Sequence, residues 1–377
     1  MSPSRDQAVE EVPFLELGRT HAPLTEELLA DVEALLESGA FVNGPAVSEF
    51  ETAFARFCGT DACVGTSSGL DALRIALLAA ELSPGDEVIV PAQTFVATLE
   101  AVTQAGGAPV VVDVSADDLC IDPAAVDAAL TTRTRAVLPV HLYGQMADLR
   151  SLTALATRAS IDVVEDACQA HGARRDGINA GSAGRATAFS FYPGKNLGAI
   201  GDAGALVTSD GELAATARAL REHGQSHKYD HELEGYTARL DTIQALALLR
   251  KLPLLESWND ERRRAAAQYV ERLAGVGDLV PPPVPAGSEP VWHLFVLRTA
   301  RPDDLAEHLR AVGIGTGRHY PVPVHLTAAY AHLGHRTGSF PVAEELARTC
   351  LSLPIFPGIT EAEIEVVVDA VVTYFDG

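Results

Sequence analysis

The sequence predicts an α/β protein: a larger part built on a doubly wound, mostly parallel sheet, and a smaller α+β part at the C-terminus. Three observations carry this. Apolar runs of strand length, EVIVPA from Glu87, PVVVDV from Pro109, RAVLPV from Arg135 and DVVEDA from Asp162, are separated by stretches with helical periodicity, the pattern of successive βαβ units. A long helical pattern from Thr242 to about Leu273, broken near Pro253, marks the joint between the parts, so that residues 1–250 form the larger domain and 251–377 the smaller. No GxGxxG follows a strand, which argues against a nicotinamide-binding fold of the same class.

In chain order, apolar residues from Leu24 to Leu36 recur at helical spacing and stop at Gly39. Asn43-Gly44-Pro45 makes a turn into a second helix closed by Gly59. ACVGT is the first strand, and Ser67-Ser68-Gly69 opens a helix at about Leu70. Small residues there leave unpaired amides at the positive end of the helix dipole, which suits a phosphate; an ordinary N-cap explains them equally. Phe95, just past EVIVPA, is a core aromatic or a ring that stacks on a flat heterocycle. GALVT is a further strand, and GELAATARALREHG a helix ending at Gly224. Gln225 to Asp241 is polar and aromatic without periodicity, a loop or hairpin too elaborate for a mere connector. Pro281, Pro282, Pro283 and Pro285 mark a rigid turn. VWHLFVLR, DDLAEHLRAVG and RHYPVPVHL read as strand, helix and extended segment, and Thr360 to Glu363 is a capping box that opens the last helix.

The 377 residues suffice for a large core and about two domains. No apolar run approaches the ~18 residues of a membrane span, and the N-terminus lacks a basic end followed by an apolar core, so a cytoplasmic protein is expected. With 28 basic against 51 acidic residues the net charge is −23, unsuited to nucleic acid or an anionic membrane. The five cysteines form no CxxC pair and the twelve histidines no HExxH, so no metal site is expected.

Two residues carry the chemistry. The chain has three lysines, Lys195, Lys228 and Lys251, and 25 arginines, so Lys195, on a turn after the strand ATAFS and beside Pro193-Gly194, is unusual. It is a surface residue at a strand end or a desolvated amine able to form a Schiff base, which a guanidinium cannot. Asp166 ends DVVED, where parallel sheets bind ligands. It is a cap, or a carboxylate facing a cation such as the pyridinium of pyridoxal phosphate (PLP). Lys195 downstream and the small-residue turn upstream favour the second. Cys168, two residues on, lies near the cofactor or simply packs.

The runs EDACQAHGA, FSFYPGKNLGAIGDAGA and RLDTIQA, with NGPAVSEFE and PGDEVIVPAQTFVAT before them and HYPVPVHLTAAY after, resemble the DegT/DnrJ/EryC1/StrS family of PLP-dependent sugar aminotransferases from about Pro13 to the last helix. The resemblance implies the fold-type-I aminotransferase architecture and a homodimer with shared active sites. It implies PLP on Lys195, with Asp166 at the ring nitrogen, Phe95 over the ring and Gln169 near its hydroxyl. Ser68, Gly69, the Leu70 amide and Ser190 would hold the phosphate. Tyr192, Tyr229, Arg239, His319 and His325 would meet the substrate. The Gln225 to Arg239 segment would reach the neighbouring subunit's phosphate, but Thr237 stands where the family has asparagine and offers one donor in place of two.

The reaction implied moves the amino group of L-glutamate onto a nucleotide-linked, dTDP-type 3-keto or 4-keto 6-deoxyhexose, for antibiotic or glycan biosynthesis. Alternatives are a cyclitol aminotransferase, the family's dehydratase branch, which has histidine in place of Lys195, and a non-enzymatic regulator that has kept the fold.

Overall fold

The computed structural model describes residues 11–377. Residues 1–10, the start of the stretch read for a secretory signal, lie outside the described residues. The central sheet has seven strands: β1 (Ala62–Thr66), β2 (Glu87–Pro91), β3 (Ala108–Val112), β4 (Thr134–Val137), β5 (Asp162–Asp166), β6 (Ala186–Ser190) and β7 (Gly204–Thr208). They lie in the order β1-β7-β6-β5-β4-β2-β3. Strands β2 to β6 pair in parallel. Strand β7 runs against both of its neighbours, so β1 points the same way as the parallel set. Helices cover both faces, which is why β2 and β7 are buried at every position and read as unbroken apolar runs.

The helix ends follow their local chemistry. Thr25–Ser38 and Pro45–Cys58 stop where Gly39 (φ 66°) and Gly59 (φ 76°) turn left-handed. Thr242–Lys251 gives way at Leu252–Leu254 to a single tight turn containing Pro253, after which Leu255–Arg272 continues. Thr360 and Glu363 form a reciprocal capping box at the head of Glu361–Asp376. The polar stretch after Gly224 is a small hairpin, Gln225–His227 against Asp230–His231.

Two hydrophobic clusters result. The larger surrounds the sheet, where Phe54 meets Phe189 and Phe191 edge-on at 5.0 and 5.1 Å between ring centres. The second gathers Tyr269, Phe295, Leu305, Leu309, Ile364, Val367 and Val371 beside a two-stranded sheet, Phe295–Arg298 with Cys350–Leu353. Val12 belongs to this second cluster and pairs with Ile314, so the N-terminal segment packs on C-terminal elements. Among the described residues no helix is long and apolar enough to cross a membrane.

A buried hydrogen bond fixes the end of β5. Glu165 Oε2 accepts from His141 Nε2 at 2.8 Å, and both side chains are fully buried. The Ala147 amide donates to His141 Nδ1, so Nε2 carries the ring hydrogen. Burial would raise the Glu165 carboxyl, but His141 and the amides of Gly184 and Gly181 outweigh it and hold the group below the usual carboxylate range. The next residue, Asp166, therefore leaves the sheet from a rigid point.

Candidate active site

The C-terminal ends of β1, β2, β5 and β6 open into one cavity of about 790 Å³, within the range of small-molecule sites. The turn after β6 supplies Lys195. Phe191 is buried and ends the apolar run, the Lys195 amide donates to the Tyr192 carbonyl at 2.8 Å, and the side chain lines the cavity. Gly198 closes the turn so tightly that a Cβ there would lie 2.2 Å from the Pro193 carbonyl oxygen. Burial lowers the Lys195 pKa from the ordinary lysine value, as a nucleophilic amine requires.

The back of that turn is gripped from three sides. Lys251, itself buried, donates to the Gly198 carbonyl at 2.6 Å and lies 2.8 Å from His21 Nε2. Asn196 Nδ2 donates to Asn259 Oδ1 and to the Val291 carbonyl, and Asn196 Oδ1 faces His293 Nδ1.

Asp166 lines the same cavity with its carboxylate already oriented. Oδ2 accepts from Thr98 Oγ1 at 2.9 Å and Oδ1 from the Cys168 amide at 3.1 Å, and Thr94 Oγ1 lies 2.7 Å from Thr98 Oγ1. Gln169 is set by the Tyr143 amide on its oxygen and donates one amide hydrogen to the Tyr320 hydroxyl at 3.1 Å. Its second hydrogen is free for a ligand. Phe95 is half exposed and faces Tyr320 at 5.6 Å between ring centres. Two aromatic rings thus flank the space beside Asp166.

The turn after β1 has the form of an anion cradle. Ser68 caps the helix Gly69–Ala79 by accepting from the Asp71 amide, and the amides of Gly69 and Leu70 are left without protein acceptors among the described residues. A Cβ on Gly69 would lie 2.6 Å from Ser190 Cβ and 2.8 Å from Cys168 Sγ, and one on Gly204 would lie 2.3 Å from the Ser68 carbonyl. Glycine at both positions lets three chain segments close on one point.

A desolvated lysine, a braced carboxylate and open amides around a flat space are the parts expected for PLP chemistry. Residues 23–372 match the profile of the DegT/DnrJ/EryC1/StrS aminotransferase family. The chain belongs to this family. It is 48% identical over 360 residues, 96% of this chain and 95% of the other, to the dTDP-3-amino-3,4,6-trideoxy-alpha-D-glucose transaminase of Streptomyces venezuelae. The crystal structure of S. venezuelae DesV in complex with a ketimine intermediate matches with a TM-score of 0.96 at 48% identity, covering 98% of this chain and 100% of that one. The structure of NtdA from Bacillus subtilis with bound cofactor PMP matches with a TM-score of 0.92 at 31% identity, covering 99% and 87%. The family's members being aminotransferases, the protein is an enzyme of that class and has their α/β fold.

Of the residues expected at this aminotransferase site, Ser68, Gly69, Leu70, Phe95, Asp166, Gln169, Ser190, Tyr192, Lys195 and His319 line the cavity. His325 does not. After Pro323 the chain tightens into the turn Val324–Leu326, which buries the His325 ring 3.1 Å from Glu344 Oε1 and edge-on to Phe340 at 4.7 Å, outside the lining of this cavity. Thr237, Tyr229 and Arg239 are also absent from this chain's own cavity. Thr237 bonds to His223, Arg239 pairs with Glu222 at 2.7 Å, and Tyr229 stands 81% exposed on the hairpin.

Several cavity residues carry no sequence signal of their own: Phe14, Thr94, His293 and Tyr320. Tyr320 stood inside the HYPVPVH run and follows His319 directly, the one hint available. Among the described residues Lys195 is the only lysine or arginine lining the cavity, against the acidic Glu100, Asp166 and Asp202.

Proposed function

We propose that the enzyme moves the amino group of L-glutamate onto a nucleotide-linked keto sugar, a dTDP-linked 3-keto or 4-keto 6-deoxyhexose, yielding an amino sugar for antibiotic or glycan biosynthesis. The observation that carries this is the convergence of Lys195 and Asp166 on one cavity that also holds the open helix terminus at Gly69 and Leu70. The cofactor is pyridoxal phosphate; bound, it acts as an electron sink and stores the amino group between the two substrates.

Each residue then has a task. Lys195 Nζ would hold the cofactor by its aldehyde carbon and, as a free amine, would move the proton of the donor's α-carbon. Asp166, kept in place by Thr98 and the Cys168 amide, holds a proton on the ring nitrogen. The Gly69 and Leu70 amides and the Ser190 hydroxyl receive the phosphate, and Phe95 packs on the ring. Gln169 gives its free hydrogen to the ring hydroxyl. Tyr192 and His319 face the sugar. Burial and the neighbouring Lys195 lower the His319 pKa to about 4, so that it is a neutral ring at working pH.

The active unit in this proposal is a cytoplasmic homodimer in which the hairpin, with Tyr229, Thr237 and Arg239, serves the partner's cavity. Supporting this, these side chains lie away from their own cavity, whose lining among the described residues has a single lysine and no arginine to receive substrate carboxylates and phosphates. The test is mass spectrometry of the products formed from glutamate with 3-keto and 4-keto nucleotide sugars and an inosose. Amination of a nucleotide sugar is expected; amination of the inosose alone would make the enzyme a cyclitol aminotransferase.

A further inference from the structure

His293 lines the cavity through a ring whose hydrogen is placed by its neighbours. Asn196, the residue after Lys195, is buried. Its Nδ2 donates both hydrogens, to Asn259 Oδ1 at 2.9 Å and to the Val291 carbonyl at 2.8 Å. Asn259 is fixed in turn by its own Nδ2, which donates to the His171 carbonyl at 2.9 Å. The Asn196 amide therefore has one orientation, with Oδ1 toward His293 Nδ1 at 3.2 Å. An amide oxygen only accepts, so Nδ1 of His293 carries the hydrogen.

The ring is also neutral. Burial, and after it the charge of Lys195, pushes its pKa well below the usual histidine range. A neutral imidazole with its hydrogen on Nδ1 has a bare lone pair on Nε2. Nε2 has no hydrogen-bond partner among the described residues and is not among the side-chain atoms sealed in the interior without one, so it opens to the cavity. His319 differs: its Nδ1 meets the Ser352 hydroxyl at 2.8 Å, which can donate or accept, and its tautomer is not imposed.

We propose that His293 is a substrate-binding residue that accepts, through Nε2, a hydrogen bond from a hydroxyl group of the keto sugar, and so serves the sugar half of the reaction and not the glutamate half. This rests on the aminotransferase function proposed above. A sugar carries hydroxyl donors. Glutamate carries none, its carboxylates are acceptors that a bare lone pair repels, and its one donor, the α-ammonium, is the group that reacts.

The test separates the two half-reactions by single-turnover absorbance, glutamate with the aldehyde form of the holoenzyme and keto sugar with its amine form. His293→Phe removes the acceptor and is expected to slow the sugar half about tenfold more than the glutamate half, the worth of one hydrogen bond of about 1.4 kcal/mol. His293→Gln can donate to Asn196 Oδ1 while turning its own Oε1 to the cavity, and should restore most of the difference. Independently, ring-¹⁵N-labelled histidine spectra of the cofactor-free protein should show, for the signals missing in His293→Gln, hydrogen on Nδ1 and none on Nε2. Equal slowing of both halves, or a hydrogen on Nε2, overturns the assignment. A wild type that aminates no keto sugar overturns the proposed function itself, and the sugar assignment with it.

Discussion

Thr98 Oγ1 donates to Asp166 Oδ2 at 2.9 Å, joining the helix after β2 to the end of β5 across 68 residues of sequence. One oxygen of the carboxylate is committed to this hydroxyl and the other receives the Cys168 amide, so the group is fixed in direction. Asp166→Asn, which cannot hold a ring proton, is expected to keep the cofactor but slow proton transfer by orders of magnitude. Thr98→Val should give an intermediate loss, because a hydrogen bond to a charged group is worth about 1.5–3 kcal/mol. Single-turnover rates with glutamate measure both, and a Thr98→Val rate equal to wild type would show that the hydroxyl has no influence on the chemistry.

The proposed shared-site dimer makes a quantitative prediction. Lys195→Ala protein should be folded, colourless and inactive, and Arg239→Ala protein strongly impaired. Random exchange between equal amounts of the two puts one intact site on each mixed dimer, so activity should recover to about a quarter of wild type. No recovery despite demonstrated exchange would mean that each site is built within one chain.

Lys251 predicts a pH-dependent stability. Burial lowers its pKa to about 8 from 10.5, and its contacts are the Gly198 carbonyl and His21, with Lys195, Arg262 and Glu16 around the same small cavity. Between those two values the unfolded chain binds more protons than the folded one, so this site's contribution to stability rises with pH across the window. The urea midpoint of wild type should therefore rise relative to that of Lys251→Met from pH 8 to pH 10, and parallel profiles would refute it.

His325 offers a contrast within one short segment. His325→Gln should leave kcat and KM unchanged and lower the melting temperature, since it loosens a buried contact to Glu344. His319→Gln should do the reverse and raise KM for the keto sugar. Kinetic damage from His325→Gln at unchanged stability would restore His325 to the substrate site.

The legibility of this site followed the range of the interactions that build it. Lys195, Asp166 and the turn at Ser68 announce themselves locally, by a scarce residue on a glycine-rich turn, a strand that ends in a carboxylate and small residues opening a helix. Thr98 and His293 matter only because sheet order and packing bring β5 and the Lys195 turn to them, and no periodicity encodes that meeting. His325 lies apart from the cavity for a related reason: in HYPVPVH the two histidines look equivalent, and only the tight turn at Val324–Leu326 sends the second away from it. The helices and the break at Pro253 were readable because caps, glycine stops and proline act within a few residues.

The scarcity of positive charge around the cavity bears on how substrates arrive. Among the described residues of one chain a single lysine faces Glu100, Asp166 and Asp202, and even with the hairpin arginine that the proposed dimer would add, the chain carries a net charge of −23, while the proposed substrates, a nucleotide sugar and glutamate, are both anions. Diffusional encounter therefore runs against the protein's long-range field. Raising the ionic strength from about 0.01 M, where the Debye length is about 30 Å, to about 0.15 M, where it is about 8 Å, should shrink that repulsion and increase kcat/KM for the nucleotide sugar. Substrate capture by this enzyme would then be assisted by salt, the opposite of the behaviour of enzymes whose basic clefts draw anionic substrates in.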